Sequence, residues 1–126
     1  VTQSKPPSFE EFNKAITVDH RPWGMFQRFP HESVSSIKII TLDPGGVLSL
    51  QYHKNRSEFW LVLDGGLEMT VGERVWRAEA GEQVWIPAGT RHRARCVGAA
   101  KARFFELWIG DSEEDDIVRI EDVYGR

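Results

Sequence analysis

Gln51, His53, Glu58 and His92 are the residues of this 126-residue chain whose types and spacing suit the holding of a divalent ion. Val47 to Gln51 alternates apolar and polar side chains, so on a strand extended through Asn55 the side chains of Gln51, His53 and Asn55 share one face. Glu58 follows a short kink at Arg56-Ser57, and Phe59 to Leu63 reads as a further strand that ends in the hairpin signal Asp64-Gly65-Gly66. A second cluster runs from Gly81 through Pro87 and Gly89 to His92. If adjacent strands set His92 opposite His53, the four side chains supply nitrogen and oxygen donors to one ion. A lone strand histidine is more often a hydrogen-bonded structural residue, so the spacing of the whole set, not His53 alone, carries this expectation.

Short strands are needed to place such a set. From Trp23 onward the chain reads as apolar or alternating runs divided by turn residues: Trp23 to Phe29, Ile37 to Leu42, Val47 to Tyr52, Phe59 to Leu63, Leu67 to Val71, Val75 to Ala78, Gln83 to Ile86, His92 to Cys96 and Phe104 to Ile109. That density predicts an all-β sandwich or barrel. Ahead of it, Pro6-Pro7-Ser8 leads into one short helix, because Ser8 and Glu11 have the spacing of a capping box and Phe9 and Phe12 lie on one helical face. The expected organisation is an N-terminal arm over residues 1–20 and one β domain over 21–126.

Three features admit two readings each. Lys38 interrupts Ile37-Lys38-Ile39-Ile40, and alternation either turns it inward with Ile40 and Leu42 or leaves it outside while Ile37 and Ile39 are buried. Glu106, within Phe104 to Trp108, either reaches solvent or lines a polar cavity. The acidic run Asp111 to Asp116 lacks the glycine and spacing of a calcium loop and reads as a solvated loop before an ion site. Arg91, Arg93 and Arg95 alternate with His92 and Ala94 and are expected at the surface.

With 40% hydrophobic residues in 126, the chain has material for one core and no room for a second full domain. Its 16 Lys and Arg against 19 Asp and Glu, a net charge of −3, provide no general attraction to nucleic acid or to an anionic membrane, so neither is an expected partner. An anionic ligand then requires a local basic pocket. The single Cys96 cannot form an internal disulfide, and with no leader or long apolar run in the sequence the expected setting is cytoplasmic and reducing. Sheet edges and the N-terminal segment need covering, which leads to an expected homodimer.

The order Gly45, Gln51, His53, Glu58, Gly65 resembles the first cupin motif, with Gln where its first His usually stands; Gly81, Pro87, Gly89, His92 resembles the second, with Cys96 in place of the usual Asn. The implied fold is a single cupin, a double-stranded β-helix or jelly-roll barrel. Further stretches resemble the type II mannose-6-phosphate isomerases, usually met as the C-terminal cupin domain of bifunctional mannose-6-phosphate isomerase/mannose-1-phosphate guanylyltransferases. They are Arg21 to Gly24, Pro44-Gly45 with Leu48 to Gln51, His53 with Arg56, Glu58 and Trp60, Ile86 to Gly89 with His92-Arg93, and Asp115 to Arg126. Nothing before Arg21 resembles a nucleotide-binding segment, so nucleotide transfer is not expected. Where that family usually reads His-His-His-Arg and then Glu-His-Trp, this chain has His53-Lys54-Asn55-Arg56 and Glu58-Phe59-Trp60. The set Gln51, His53, Glu58, His92 is similar to the zinc site of the type I isomerases.

The resemblance implies a metal-dependent aldose-ketose isomerase that interconverts mannose 6-phosphate and fructose 6-phosphate. Zinc is the first choice of ion, with manganese, cobalt, nickel and iron also accepted by such donors. Lys38 is the candidate proton carrier, Arg56 the candidate phosphate or sugar ligand, and Glu106 a further candidate base. The alternatives are a non-catalytic sugar- or sugar-phosphate-binding cupin with a structural ion, and an oxygen-dependent dioxygenase with iron at the same ligands.

Overall fold

The computed structural model describes residues 7–125; Pro6 of the helix approach and Arg126 of the C-terminal stretch lie outside them. Helix α1 (Phe9–Ala15) starts on the expected capping box: the Ser8 hydroxyl accepts the Glu11 N–H at 3.1 Å, and the Glu11 carboxylate accepts the Ser8 N–H at 3.1 Å. A helix this short does not hold by itself in water. Its buried Phe12 packs on Phe59 and Trp85, with ring centroids 5.1 and 5.2 Å away. Phe12→Ala is therefore expected to lower the unfolding free energy by about 3–5 kcal/mol, and a loss below about 1 kcal/mol in urea titration would show that α1 docks without it.

A two-stranded hairpin follows, β1 (Thr17–Arg21) with β2 (Gly24–Arg28), turning through Pro22-Trp23. β1 was absent from the sequence reading because Thr17–Arg21 is almost wholly exposed and carries no apolar alternation. The boundary expected at residue 21 falls inside this hairpin, so 17–20 pair with the chain that follows rather than with the helix.

The remaining strands make two facing antiparallel sheets. β3 (Val34–Leu42), β10 (Ala102–Ile109), β5 (Ser57–Val62) and β8 (Gln83–Ile86) form the first, in that order across the sheet. β11 (Val118–Glu121), β4 (Leu50–Tyr52), β9 (His92–Cys96), β6 (Leu67–Val71) and β7 (Arg74–Ala78) form the second. Trp60, Val62, Met69, Ile86, Ala94 and Phe104 are among the buried residues that fill the space between the sheets. The outer face of the four-stranded sheet carries a second cluster, Phe12, Phe59, Leu107 and Ile109, under α1 and Phe29. Along β5, Glu58, Trp60 and Val62 thus point between the sheets while Phe59 points the other way.

The chain crosses between the sheets at several corners, among them β4 to β5 and β8 to β9. Those two corners hold the two motifs, and they are tied together: Gly89 N–H donates to the His53 carbonyl at 2.7 Å, and Ala88 N–H donates to the Ser57 hydroxyl at 3.1 Å. Gly89 has φ +81° with open space where a Cβ would stand, so glycine is required by the backbone conformation and not by crowding.

Candidate metal centre

The tied corners bring His53, Glu58 and His92 together between the sheets, all three buried, with one ligating atom from each lying within 4.8 Å of the others. Glu58 Oε2 is 3.1 Å from His53 Nε2, Glu58 Oε1 is 3.7 Å from His92 Nε2, and the imidazole centroids are 5.0 Å apart. Gln51 is the direct cross-strand partner of His92 in the β4–β9 pair, so its carboxamide stands on the same face beside it. Its Oε1 accepts the Ser49 hydroxyl at 3.3 Å.

Both histidines are oriented through Nδ1. His53 Nδ1–H donates to the Asp116 carbonyl at 2.6 Å and His92 Nδ1–H to the Thr90 carbonyl at 2.9 Å, which turns both Nε2 atoms toward Glu58. His92 Nε2 is buried with no hydrogen-bond partner among the described residues. Burial above all lowers the His92 pKa, against the raising effect of Glu58. Burial would raise Glu58, but the His53 hydrogen bond and the charges of His92, His53 and Arg56 prevail and hold it at about 2. Two imidazole nitrogens and one ionised carboxylate converging on a point fit a divalent ion, and the unsatisfied His92 Nε2 is the atom such an ion would satisfy.

Around this set the inner face of β5 and β10 carries a two-by-two patch. Trp108 lies opposite Glu58 and Glu106 opposite Trp60. Each indole donates within its own strand, Trp60 Nε1 to Glu58 Oε1 at 2.8 Å and Trp108 Nε1 to Glu106 Oε1 at 2.5 Å. Glu106 therefore lines a polar interior rather than reaching solvent. Burial and the Glu58 charge push it up to about 7, against the Trp108 hydrogen bond, Lys38 and Arg56.

Lys38 faces inward: Ile37 and Ile39 are 65% and 58% exposed, while Lys38 lies opposite Glu106 with Nζ 4.2 Å from the Trp108 ring centroid. Its Nζ also pairs with exposed Glu114 at 3.1 Å, which places it at the rim. The isoleucines stay outside because α1 covers the sheet over β5, β8 and β10 and stops short of the middle of β3. Arg56 is not the open anion ligand that the sequence suggested. It is 5% exposed, stacked at 3.5 Å on Trp108, and every guanidinium nitrogen is engaged: Nε with Glu58 at 2.8 Å, Nη1 with Ser112 at 3.1 Å and Nη2 with His53 at 3.2 Å.

Two further expectations change. The strand ends at Tyr52, and Lys54-Asn55 turn outward with their N–H groups on the Asp116 carboxylate at 2.8 and 2.9 Å, so Asn55 is exposed and does not share a face with Gln51 and His53. The acidic run is solvated at Asp111, Glu113, Glu114 and Asp115, but Ser112 is buried and the Asp116 carbonyl reaches the His53 ring, a role that composition alone did not signal. The three positions where the sequence departs from the histidines of that pattern, Lys54, Asn55 and Phe59, consequently lie away from the centre, the first two exposed and Phe59 in the cluster under α1.

The sequence profile described as "Mannose-6-phosphate isomerase C-terminal" matches residues 9–122. The chain belongs to that family. It is 40% identical over 108 residues to the xanthan biosynthesis protein XanB of Xanthomonas campestris, covering 85% of this chain and 23% of XanB. It is 39% identical over 124 residues to the alginate biosynthesis protein AlgA of Pseudomonas putida, covering 94% of this chain and 26% of AlgA. The chain thus spans about a quarter of the length of these relatives. Among solved structures, an uncharacterised conserved protein with a double-stranded β-helix domain from Klebsiella pneumoniae superposes with a TM-score of 0.60 at 19% identity, covering 75% of this chain and 90% of that one. A sugar phosphate isomerase of the cupin superfamily from Silicibacter pomeroyi gives 0.57 at 17%, covering 68% of this chain and 66% of that one. The fold is the cupin double-stranded β-helix that the motifs implied. None of the described helices is long and apolar enough to cross a membrane.

Proposed function

We propose that this cupin domain is a metal-dependent isomerase acting on mannose 6-phosphate and fructose 6-phosphate. The observation that carries the reading is the pairing, inside one barrel, of a ligand set with an orphaned imidazole nitrogen and a buried carboxyl, Glu106, poised near neutrality. His53, Glu58 and His92, with Gln51 beside them, would hold the ion, zinc first among the divalent metals that accept such donors. When bound, the ion supplies Lewis-acid stabilisation of the negative charge that develops on the sugar O1 and O2.

The chain's own groups supply the rest. Glu106 takes the proton from C2 of the aldose and returns it to C1, and the hydroxyl proton passes from O2 to O1, giving the ketose, while Trp108 holds the Glu106 carboxylate oxygen. Arg56 orients Glu58 and His53 from behind instead of meeting substrate. Lys38, at the rim and paired there with the exposed Glu114 carboxylate, is suited to exchange Glu114 for the sugar phosphate. This assignment moves the proton from Lys38, the carrier suggested by the resemblance, to Glu106.

One observation favours the second reading, a sugar-phosphate-binding cupin with a structural ion: His53, Glu58 and His92 are only 3%, 2% and 1% exposed. The two readings separate in one experiment. Protein stripped by chelation is expected to be inactive with either sugar phosphate and to recover when a divalent ion is restored. Metal-loaded protein that is inert toward both sugars, yet binds them in calorimetry, would establish the binding module instead.

A further inference from the structure

The segment between β10 and β11 lies against the corner that carries His53, and its contacts form a closed ring. The Asp116 carbonyl accepts His53 Nδ1–H at 2.6 Å. The Asp116 carboxylate accepts Lys54 N–H at 2.8 Å, Asn55 N–H at 2.9 Å and the Ser112 hydroxyl at 2.8 Å. Ser112 Oγ in turn accepts Arg56 Nη1 at 3.1 Å, and Arg56 returns through Nη2 to His53 and through Nε to Glu58. Lys54 and Asn55 form the turn between His53 and Glu58, so the carboxylate that holds their N–H groups sets the distance between two of the candidate ligands.

We propose that Asp116 is the positioning residue of the metal centre: its carboxylate fixes the Lys54-Asn55 turn and thereby its own carbonyl fixes the His53 ring with Nε2 toward the ion. The proposal rests on His53, Glu58 and His92 being the ligands. The physical reason is geometric. His53 leaves β4 before the corner and has no strand ladder to hold it, whereas Glu58 and His92 sit on β5 and β9. A ligand on irregular backbone needs its tautomer and ring direction set from outside, and a displacement well under 1 Å is enough to weaken coordination. Asp116 supplies both constraints from a distant part of the chain. Its neighbour Asp115 is exposed and serves as the control.

Zinc affinity of the full chain, measured by competition with a chromophoric chelator, tests this. Asp116→Ala is expected to weaken zinc by about 10–100-fold, Asp116→Asn, which keeps one acceptor oxygen, by less, and Asp115→Ala not at all. In the metal-free protein, nitrogen NMR of the imidazoles is expected to show His53 losing its single Nδ1–H tautomer in Asp116→Ala while His92, held by Thr90, keeps its own. A general loss of packing would disturb both rings alike. Should Asp116→Ala fail to fold, the Asp116→Asn and Ser112→Ala variants carry the same test, with intermediate weakening expected. Unchanged zinc affinity in these variants, where His92→Ala loses zinc, would overturn the role of Asp116 alone. Unchanged affinity in His92→Ala as well would overturn the ligand set and this proposal with it.

Discussion

Glu106→Gln in the metal-loaded protein is expected to lower kcat by about 10²–10⁴-fold, the range for removing a general acid–base group, with a much smaller change in KM. Gln keeps the shape and can still accept the Trp108 indole N–H, so the loss isolates the proton. Glu106 sits at about 7, raised by burial first and by Glu58 second. A bound cation lowers it, so the acid limb of kcat/KM in the loaded enzyme is expected below about 7 and to vanish in the variant. Lys38→Met is the counterpart: a phosphate contact shows as a rise in KM, and a larger fall in kcat would return the proton to Lys38.

Stability provides a check that needs no activity. The folded metal-free protein keeps Glu106 protonated up to about 7, while the unfolded chain ionises around the ordinary value of 4.5. Between those values the native state binds more protons, so the Glu106 contribution is full below 4.5 and is lost as pH rises through 7. Urea unfolding across that window is expected to show the decline in wild type and a flatter profile in Glu106→Gln. Equal slopes would show that Glu106 titrates normally and has no claim to the proton.

How far the centre was legible depended on whether a residue belonged to a regular element. His92 lies on a strand whose alternation with Arg91, Arg93 and Arg95 is visible in the sequence, and the buried His92 and Ala94 follow that period of two, whereas Glu58 sits one residue ahead of the strand expected from Phe59. The same rule extended one strand too far at Asn55, because the turn there is held by a carboxylate 61 residues away, and no local pattern encodes that contact. β1 and β11 were hidden for a related reason: both are largely exposed, so neither carries the apolar face by which strands are recognised. Lys38 could not be settled from spacing because its neighbours on both faces are isoleucines. What decides it is the short reach of α1 across the outer face, a tertiary fact.

Phe59 shows the converse. Judged as a motif position it is a lost histidine; in the fold it is wholly buried on the opposite side of β5, its ring packed at a tilt against Phe12 and Phe29. The substitution exchanges a polar ring for an apolar one beneath the helix and leaves the ligands untouched. It therefore bears on how α1 docks, not on the metal.

His92→Ala is expected to abolish stoichiometric zinc binding while the barrel stays folded. His92 Nε2 is the one buried side-chain nitrogen or oxygen without a hydrogen-bond partner among the described residues, and leaving such a group unsatisfied costs about 1–3 kcal/mol. Truncation removes that cost and leaves a cavity, so the two changes oppose each other in the metal-free protein. The remaining contacts of the centre, Arg56 and Trp60 on Glu58 and Asp116 on His53, do not pass through His92 and keep the other ligands in place. With zinc the difference becomes large. At a free concentration of about 100 times Kd, zinc is expected to stabilise wild type by about 2.7 kcal/mol, and this increment should disappear in the variant. The readouts are zinc content of the purified protein and the unfolding free energy with and without the ion. Equal zinc content in both proteins would place the ion elsewhere; a variant that unfolds even without zinc would show that His92 holds the two sheets together and that its ring is part of the core.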